Sequence, residues 1–305
     1  MFNFSIFTKN IFLTTILSII LFACSNYKSN EKKCNEEENE FSQVVEIPRH
    51  NDTTLTLKYD CCFYVTTEIF YPPDSQQING CIVMLHGWNL PAMEWCEKTD
   101  FCSKALKKGY VLIIPNYSKS NYILEIYPET NPDYVKYPTL TWIMETHIPY
   151  IQEELGLLLH GQNTHIAGIS TGARGATLLA YYKPEIFKSV ASLSGDFNIT
   201  AMQDEYLYYA FLGQYKNFPE RWKRECFAYD VKNYKRPTYI GHGKADKVSP
   251  VEQSIAMYDS IVKNHPSLKV IGNFPENAQH NYDYWRSETD NILNFFDECS
   301  EKGRK

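Results

Sequence analysis

Gly168-Ile169-Ser170-Thr171-Gly172 is a pentapeptide of the form G-x-S-x-G. Residues 164–167 before it are typical of a short strand, and residues 173–180 after it predict a helix of small residues and leucines. This order of strand, tight turn and helix is the setting in which a strained turn holds a nucleophilic serine clear of a sheet. The two glycines let neighbouring backbone approach the turn without meeting a Cβ atom. Ser170 is therefore the candidate nucleophile, and the alternative is that Ser170 or Thr171 only caps the following helix.

A nucleophilic serine needs a histidine base and an acid that orients the histidine. Asp246 follows the predicted strand 238–242, and His280 follows the apolar run 268–274. Catalytic groups collect in such loops, at the carboxyl ends of strands in an open α/β sheet. The order of Ser170, Asp246 and His280 along the chain is also the order in which α/β-hydrolases carry their triad. We therefore expect these three residues to be catalytic.

Two alternatives to this assignment stay open. Asp196 lies in the loop after the predicted strand 189–193, a position from which some hydrolases supply the acid, so it is a rival to Asp246. Asp246 and His280 could also be ordinary polar residues of surface loops, with Asp246 hydrogen bonded to its own turn.

An ester-cleaving serine also needs two backbone amides directed at the developing oxyanion. One amide is expected from Thr171, the residue after the nucleophile. The second is expected from a loop after an early strand, and the apolar run 81–85 ends in such a loop with His86, Gly87 and Trp88. We assign the second amide to Trp88 and expect His86 to be a structural histidine that fixes the loop.

Four motifs carry a resemblance that extends over residues 55–298: Leu85-His86-Gly87, 168–176, 191–195 and 280–286. The last begins His-x-aromatic-x-x-Trp and ends at Arg286. Together they resemble the esterase D-like branch of the α/β-hydrolases, which includes feruloyl esterases, acetyl xylan esterases, S-formylglutathione hydrolases and siderophore esterases. The resemblance implies the triad above and a substrate site that includes Asn116, Tyr117 and Trp285.

The alternation of strands and helices along the chain predicts the fold class. Residues 54–72 predict an antiparallel edge, and strand–helix units follow from 81 to 299. This pattern is typical of a mostly parallel central sheet with helices on both faces, here an α/β-hydrolase fold over residues 51–305. Residues 198–236 form an aromatic and charged insertion, which we expect to be a helical cap over the site; the alternative is a helical excursion remote from it.

The N-terminus is typical of an export signal. Lys9 precedes the apolar run 11–22, and Ala23-Cys24 follows. This pattern predicts a lipoprotein signal peptide over residues 1–23, a lipid on Cys24 and a disordered tether over 24–50. The protein is then exported and anchored to a bacterial membrane, on the periplasmic or cell-surface side; simple cleavage or a retained membrane anchor are the alternatives.

Composition and motifs give no indication of a nucleic-acid partner, a metal or a cofactor. The formal charge of −6 and the lack of a basic stripe give no indication of a nucleic-acid partner. Zinc-type cysteine pairs and an H-E-x-x-H motif are missing from the sequence, so no metal and no cofactor is expected. Export permits disulfides, but Cys96 and Cys102 can pair only if the predicted helix 92–108 breaks. Cys61 and Cys62 are expected on opposite faces of a strand, and most other cysteines are expected as buried thiols.

These features predict a serine carboxylesterase that hydrolyses esters through an acyl-enzyme. The family resemblance and the export signal favour small-molecule or carbohydrate esters, such as acetyl or feruloyl esters. An acyltransferase that uses the same triad is an alternative, because the acceptor is chosen by the pocket. A non-catalytic binding lipoprotein is a third possibility, disfavoured by the complete set of Ser170, Asp246 and His280. The sequence does not determine the oligomeric state.

Overall fold

The computed structural model describes residues 45–301, which contain an eight-stranded sheet. The strands are β1 (Thr53–Asp60), β2 (Phe63–Phe70), β3 (Gly80–Leu85), β4 (Tyr110–Pro115), β5 (Thr164–Ile169), β6 (Ser189–Leu193), β7 (Thr238–Gly241) and β8 (Val270–Asn273). Their order across the sheet is β1-β2-β4-β3-β5-β6-β7-β8. The pairs β1–β2 and β2–β4 are antiparallel, and all later neighbours are parallel. The expected antiparallel edge and mostly parallel sheet are confirmed.

The helices are α1 (Glu94–Lys98), α2 (Phe101–Lys107), α3 (Leu140–Trp142), α4 (Ile148–Leu155), α5 (Thr171–Tyr182), α6 (Tyr206–Leu212), α7 (Pro219–Arg224), α8 (Val251–Asn264), α9 (Tyr282–Ser287) and α10 (Thr289–Glu301). A π-helical turn, Ile143–His147, joins α3 to α4. Among the described residues, no helix is long and apolar enough to cross a bilayer.

The central strands are apolar because both faces of the sheet are covered. Every residue of β3 is buried, and successive side chains of a strand point to opposite faces. Ile82 and Met84 accordingly pack into one apolar cluster, and Val83 and Leu85 pack into the other. The sheet therefore lies between two helical layers, as the sequence predicts.

The predicted helix 92–108 breaks at Thr99, which has extended backbone (φ −135°, ψ 171°). Its hydroxyl donates to the Trp95 carbonyl (2.5 Å) and accepts from the Phe101 amide (3.2 Å), so it ends α1 and begins α2. The break brings the Cα atoms of Cys96 and Cys102 to 5.1 Å, and the two cysteines form a disulfide. The predicted helix is interrupted, which is the condition under which the sequence allows Cys96 and Cys102 to pair.

The prediction for Cys61 and Cys62 is wrong. They lie in the turn between β1 and β2 and not within a strand. Both are exposed, and their Sγ atoms are 3.2 Å apart, on the same side of the chain. A tight turn does not alternate its side chains as a strand does, which is why the strand argument fails here. Cys81 and Cys226 are the buried thiols among the described cysteines, whereas Cys299 is only partly buried, so the expectation that most cysteines are buried thiols is met by these two alone.

The insertion 198–236, called the cap insertion below, packs against a second segment, of which the sequence motifs indicate only Asn116 and Tyr117. This is the β4–α3 loop, residues 116–139. The two segments share an apolar cluster of buried residues: Ile123, Tyr127, Ile199, Tyr208, Phe211, Leu212, Trp222 and Cys226. The Asn131 amide donates to the Ala210 carbonyl (2.7 Å). The cap therefore has two parts, drawn from distant regions of the sequence.

Arg174 of α5 joins both parts of the cap to the sheet domain. Its side chain is buried and donates to the carbonyls of Asn121 (2.5 Å) and Tyr122 (3.0 Å) in the β4–α3 loop. It also donates to the carbonyl of Glu225 (2.8 Å) in the cap insertion. The Glu225 carboxylate in turn accepts from the Tyr127 hydroxyl (2.5 Å). Arg174, two residues after the G-x-S-x-G turn, thus connects α5 to the cap.

The signal peptide predicted over residues 1–23, the lipidation site Cys24 and most of the tether predicted over 24–50 lie outside the described residues. Residues 45–52 form neither helix nor strand and lead directly into β1.

Candidate active site

Ser170 occupies the tight turn between β5 and α5. Its backbone lies in a strained region (φ 56°, ψ −127°), and its amide donates to the Leu193 carbonyl (2.9 Å). A Cβ atom at Gly168 would lie 2.0 Å from the Gly172 carbonyl oxygen, and one at Gly172 would lie 2.3 Å from the Leu85 oxygen. Both glycines are therefore needed for the turn to pack against β3. The side chain of Ser170 makes no capping hydrogen bond, so the turn does not behave as an ordinary helix cap.

His280 and Asp246 are directly hydrogen bonded. The Nδ1 atom of His280 lies 2.7 Å from Oδ2 of Asp246, whose side chain is fully buried. A carboxylate accepts hydrogen bonds, so this contact places the ring proton on Nδ1 and leaves Nε2 without a proton. An imidazole in that tautomer can act as a base through Nε2. The ring packs edge-on against Trp285 at 5.3 Å between centroids.

A second histidine fixes the same carboxylate. His242 is buried, and its Nε2 atom lies 3.1 Å from Asp246 Oδ2 and 3.1 Å from the Ser249 carbonyl oxygen. Both partners are acceptors, so His242 Nε2 carries the proton and Nδ1 accepts from the Ser254 hydroxyl (2.7 Å). His242 follows β7 and lies behind Asp246, where it holds the carboxylate in place.

The environment of Asp246 keeps its carboxylate ionised. Burial alone would raise the pKa of Asp246. Hydrogen bonds from His242, from His280 and from the Ser249 amide outweigh that effect and hold the pKa well below its ordinary range. The other oxygen, Oδ1, accepts from the amides of Val248 (2.7 Å) and Ser249 (2.9 Å). The site therefore has a carboxylate that is ionised at neutral pH and accepts a hydrogen bond from the His280 ring.

Asp196, the rival acid, has other partners. Its Oδ2 accepts from the Tyr208 hydroxyl (2.7 Å), and its Oδ1 accepts from the Ser249 hydroxyl. Within the described residues it makes no hydrogen bond to His280. The geometry therefore favours Asp246 as the residue that orients His280, and it places Asp196 on the cavity wall beside it.

Ser170 and His280 line one cavity of about 570 Å³, which lies between the ends of the strands and the cap. Among the described residues, no hydrogen bond joins the Ser170 hydroxyl to the His280 ring. Catalytic hydrogen bonds are often long without substrate and tighten when it binds. The cavity wall also includes Trp88, Thr171 and Trp285, three of the residues predicted for the site. The indole N–H of Trp285 donates to the Ser194 hydroxyl (3.2 Å), which holds the ring in place.

The amides of Thr171 and Trp88 are both free within the described structure. Thr171 is the first residue of α5, where an amide has no partner inside the helix. The loop that carries Trp88 packs directly on Ser170, because a Cβ atom at Gly87 would lie 3.0 Å from the Cβ of Ser170. Two unpaired amides therefore flank Ser170 on the residues predicted for an oxyanion hole.

His86 has the structural role that the sequence suggested. Its Nδ1 atom donates to the Gly87 carbonyl (2.7 Å), and its Nε2 atom accepts from the Tyr117 amide (3.0 Å). Burial lowers the pKa of His86, although the bond to Gly87 opposes the shift, so the ring is neutral at pH 7. The imidazole thus connects the loops that follow β3 and β4.

Asn116 and Tyr117 are not among the residues that line the cavity, so the structure does not bring them together with Ser170 and His280. The Tyr117 side chain is buried and its hydroxyl pairs with His147 Nδ1 (2.7 Å) beneath the sheet edge. The Asn116 side chain accepts from the Ser118 amide (3.1 Å) within its own loop. The sequence located this loop correctly, but only the packing decides which way its side chains point.

The cap supplies much of the remaining wall, as predicted for the cap insertion. Residues from it that line the cavity are Met202, Glu205, Tyr206, Leu207 and Tyr208. Tyr134 comes from the β4–α3 loop. No sequence pattern indicates this residue, because its part of the loop has no regular periodicity. Trp222 and Tyr209 lie elsewhere; the Trp222 indole is fully buried and donates to the Gly213 carbonyl (2.9 Å).

In residues 45–301, no group of three or more histidine, cysteine, aspartate or glutamate side chains could hold a metal ion. The chemistry available at the site is that of a serine hydroxyl, a histidine base with a buried carboxylate partner and two free amides.

This sheet order and this site define an α/β-hydrolase, and comparisons with solved structures agree. An S-formylglutathione hydrolase from Agrobacterium tumefaciens superposes with a TM-score of 0.66 at 17% identity, over 84% of this chain and 99% of that chain. A ferulic acid esterase gives 0.59 at 17% identity, over 82% and 98%. The fluorophosphonate-binding serine hydrolase FphF of Staphylococcus aureus gives 0.60 at 16% identity, over 81% and 99%. At these identities the likeness shows the fold.

A search of curated proteins gave no match. The model of the family described as "Putative esterase" matches residues 66–296. The chain belongs to this family, and the protein is a carboxylic ester hydrolase with an α/β-hydrolase fold.

Proposed function

We propose that the protein is a serine carboxylesterase that acts through an acyl-enzyme, with Ser170, His280 and Asp246 as its triad. The observation that carries the proposal is the 2.7 Å hydrogen bond from His280 Nδ1 to Asp246, in a cavity that also contains the strained Ser170 turn. That bond fixes the tautomer whose free Nε2 atom can accept a proton from Ser170.

The reaction follows from this arrangement. His280 Nε2 takes the proton of the Ser170 hydroxyl as Oγ attacks the ester carbonyl carbon. The carbonyl oxygen becomes an oxyanion, which the amides of Trp88 and Thr171 stabilise. The carbon–oxygen bond to the alcohol breaks, and the alcohol leaves with the proton from His280. A water molecule then attacks the acyl carbon while His280 takes its proton, the bond from that carbon to Ser170 Oγ breaks, and His280 returns the proton to Oγ as the carboxylic acid is released.

Carbohydrate-linked acetyl or feruloyl esters are the proposed substrates. A cavity of about 570 Å³ can hold a substituted aromatic acyl group. Its wall includes the aromatic side chains of Trp88, Tyr134 and Tyr206, which suit the flat faces of sugars and phenolic rings. The structural likeness to a ferulic acid esterase is consistent with this choice.

A fluorophosphonate probe and a panel of esters test the mechanism. The wild-type protein is expected to be labelled on Ser170 and to hydrolyse the esters. Ser170→Ala should lose labelling, and Ser170→Ala and His280→Ala should each lower kcat/KM by at least about a thousandfold. The exposed Ser103→Ala on α2 is the matched control and should behave as wild type. Labelling that persists in Ser170→Ala would refute the assignment, and product analysis with an added alcohol separates hydrolysis from acyl transfer.

We further propose that the protein is exported and anchored to a bacterial membrane by a lipid on Cys24, as its N-terminal sequence suggests. A diacylglyceryl group with a further acyl chain anchors stably, whereas a single chain binds only marginally. Cys24→Ala should therefore release the protein to the soluble fraction or leave its precursor uncleaved. A processed N-terminus without lipid, together with unchanged membrane partition, would contradict the proposal.

A further inference from the structure

The charged side chains on the cavity wall are all acidic. Asp196 and Glu205 line the cavity, and no lysine or arginine of the described residues does. Neither carboxylate has a salt-bridge partner within residues 45–301. Asp196 receives hydroxyl hydrogen bonds from Tyr208 and Ser249, and it is buried. Glu205 is exposed at the start of α6, on the side of the cavity formed by the cap insertion.

The cations that neighbour the cavity in the chain lie outside its wall or are engaged elsewhere: Lys247 precedes the wall residue Val248 but is exposed and does not line the cavity. Arg174 is buried and donates to backbone carbonyls of the two cap segments. Lys98 lies over the ring of Tyr282 (4.8 Å to the centroid), but its ammonium pairs with Glu94 at 2.8 Å. Neither provides a free positive charge for an anionic substrate group inside the cavity.

The aromatic part of the cavity wall also favours a cationic substrate group over an anionic one. Trp88, Tyr134 and Tyr206 present aromatic rings, whose faces attract a cation and repel an anion. These rings form an edge-to-face series, with centroids 5.4 Å apart for Trp88 and Tyr134 and 6.3 Å apart for Tyr134 and Tyr206. Glu205 directly precedes Tyr206 in the chain, so a carboxylate and the aromatic series occur on the same wall.

We infer that the site selects its esters by charge: it accepts neutral and cationic substrates and discriminates against esters that carry a carboxylate or phosphate, with Glu205 as a specificity-determining residue. The inference rests on the proposed esterase function. A negatively charged substrate group about 6 Å from one carboxylate is repelled by it. At an effective dielectric constant between those of water and the protein surface, this repulsion weakens binding on the order of tenfold. A cationic substrate group at the same position is attracted to the carboxylate, so its binding is strengthened.

Three 4-nitrophenyl esters of similar length test this inference. They are the pentanoate, which is neutral, the 4-(trimethylammonio)butanoate, which is cationic, and the glutarate monoester, which is anionic. Each kcat/KM is divided by the rate constant of hydroxide-catalysed hydrolysis to remove intrinsic reactivity. In wild-type protein the cationic ester should exceed the anionic ester by more than about tenfold at low salt, and 0.5 M salt should reduce this ratio.

Glu205→Gln keeps the shape of the side chain and removes its charge, so it should lower the ratio of the cationic to the anionic ester at least about threefold, whatever its effect on the neutral ester. The matched control is Glu220→Gln on α7, an exposed glutamate of the same insertion that lies outside the cavity wall. A wild-type ratio below ten, or an equal fall in both variants, would overturn the inference while hydrolysis of the neutral ester leaves the esterase assignment intact. Failure to hydrolyse any ester, with Ser170 unlabelled, would refute both.

Discussion

Asp246 is the residue on which the buried His242 and the partly buried His280 converge. One of its oxygens accepts from His280 and His242, and the other accepts two backbone amides. Four donors around one carboxylate fix its position and stabilise its charge. Asp196 lies nearby but is directed at hydroxyl groups. At the scale of the residue, the hydrogen-bond partners of Asp246 and Asp196, and not their positions in the sequence, show which of the two orients His280.

Exchanging each acid for its amide separates their roles. Asp246→Asn should lower kcat/KM by about a hundredfold to ten-thousandfold, because an amide no longer enforces the His280 tautomer. Asp196→Asn should stay within about tenfold of wild type on a neutral ester. Steady-state kinetics on variants that keep the wild-type circular dichroism spectrum make the comparison. The reverse order of losses would assign the acid to Asp196.

The depressed pKa of Asp246 also predicts how stability depends on pH. A carboxyl group whose pKa in the folded protein lies below its ordinary value of 3.8 stabilises the fold at higher pH. That contribution is complete above the ordinary pKa and is lost as the pH falls from there towards the folded pKa. Urea unfolding between pH 7 and pH 2 should therefore show a flatter acid limb for Asp246→Asn than for wild type. Asp283→Asn, at an exposed aspartate, is the control and should keep the wild-type slope.

At the scale of the element, the cap insertion contains two kinds of aromatic residue. Tyr206 lines the cavity and is 48% exposed, whereas Trp222 is fully buried in the cluster shared with the β4–α3 loop. An aromatic-rich insertion in a sequence does not tell these apart. The burial of each ring decides whether it contacts a substrate or holds the cap together.

Alanine substitutions should separate these two kinds of residue. Trp222→Ala should lower the free energy of unfolding by about 3–5 kcal/mol, since it removes a large buried side chain. Tyr206→Ala should change stability by no more than about 1 kcal/mol, and it should lower kcat/KM for a feruloyl ester more than for an acetyl ester. Denaturant unfolding and a substrate panel measure both effects. Equal losses for every ester in Tyr206→Ala would place its ring away from the bound acyl group.

At the scale of the whole molecule, the cap and the sheet domain are connected through Arg174. This single side chain donates to three carbonyls, two in the β4–α3 loop and one in the cap insertion. The planar guanidinium can reach several acceptors at once, which a lysine ammonium on a flexible chain does less well. The position of the cavity wall relative to Ser170 therefore depends on a residue of the nucleophile helix.

Arg174→Lys should loosen the cap before it unfolds the sheet. The loss of charge-assisted hydrogen bonds is expected to cost about 2–4 kcal/mol, with faster proteolytic cleavage within residues 198–236. The control is Arg286→Lys on α9, since Arg286 also donates to a carbonyl, that of Lys98, but at the surface. Limited proteolysis followed by mass spectrometry locates the cleavage sites. Cleavage at the wild-type rate in Arg174→Lys would show that the cap is held by its apolar cluster alone.

Much of the fold could be predicted from the sequence because its signals are local. Continuous apolar runs such as 81–85 predict buried parallel strands, and the G-x-S-x-G turn places Ser170 between β5 and α5. The helix break at Thr99 does not follow from the sequence, because a threonine is compatible with either a continuous or an interrupted helix. Family membership followed from motifs that are likewise short and contiguous.

The sequence by itself therefore determined the sheet, the nucleophile turn and the chain order of Ser170, Asp246 and His280. Only the tertiary structure decided that Asp246 and not Asp196 contacts His280, that Tyr117 points into the core, and that the β4–α3 loop completes the cap. The physical reason is the range of the interactions. Strand and turn patterns act between neighbours in the chain, whereas the direction of a side chain depends on hydrogen-bond partners and packing supplied by residues far away in sequence.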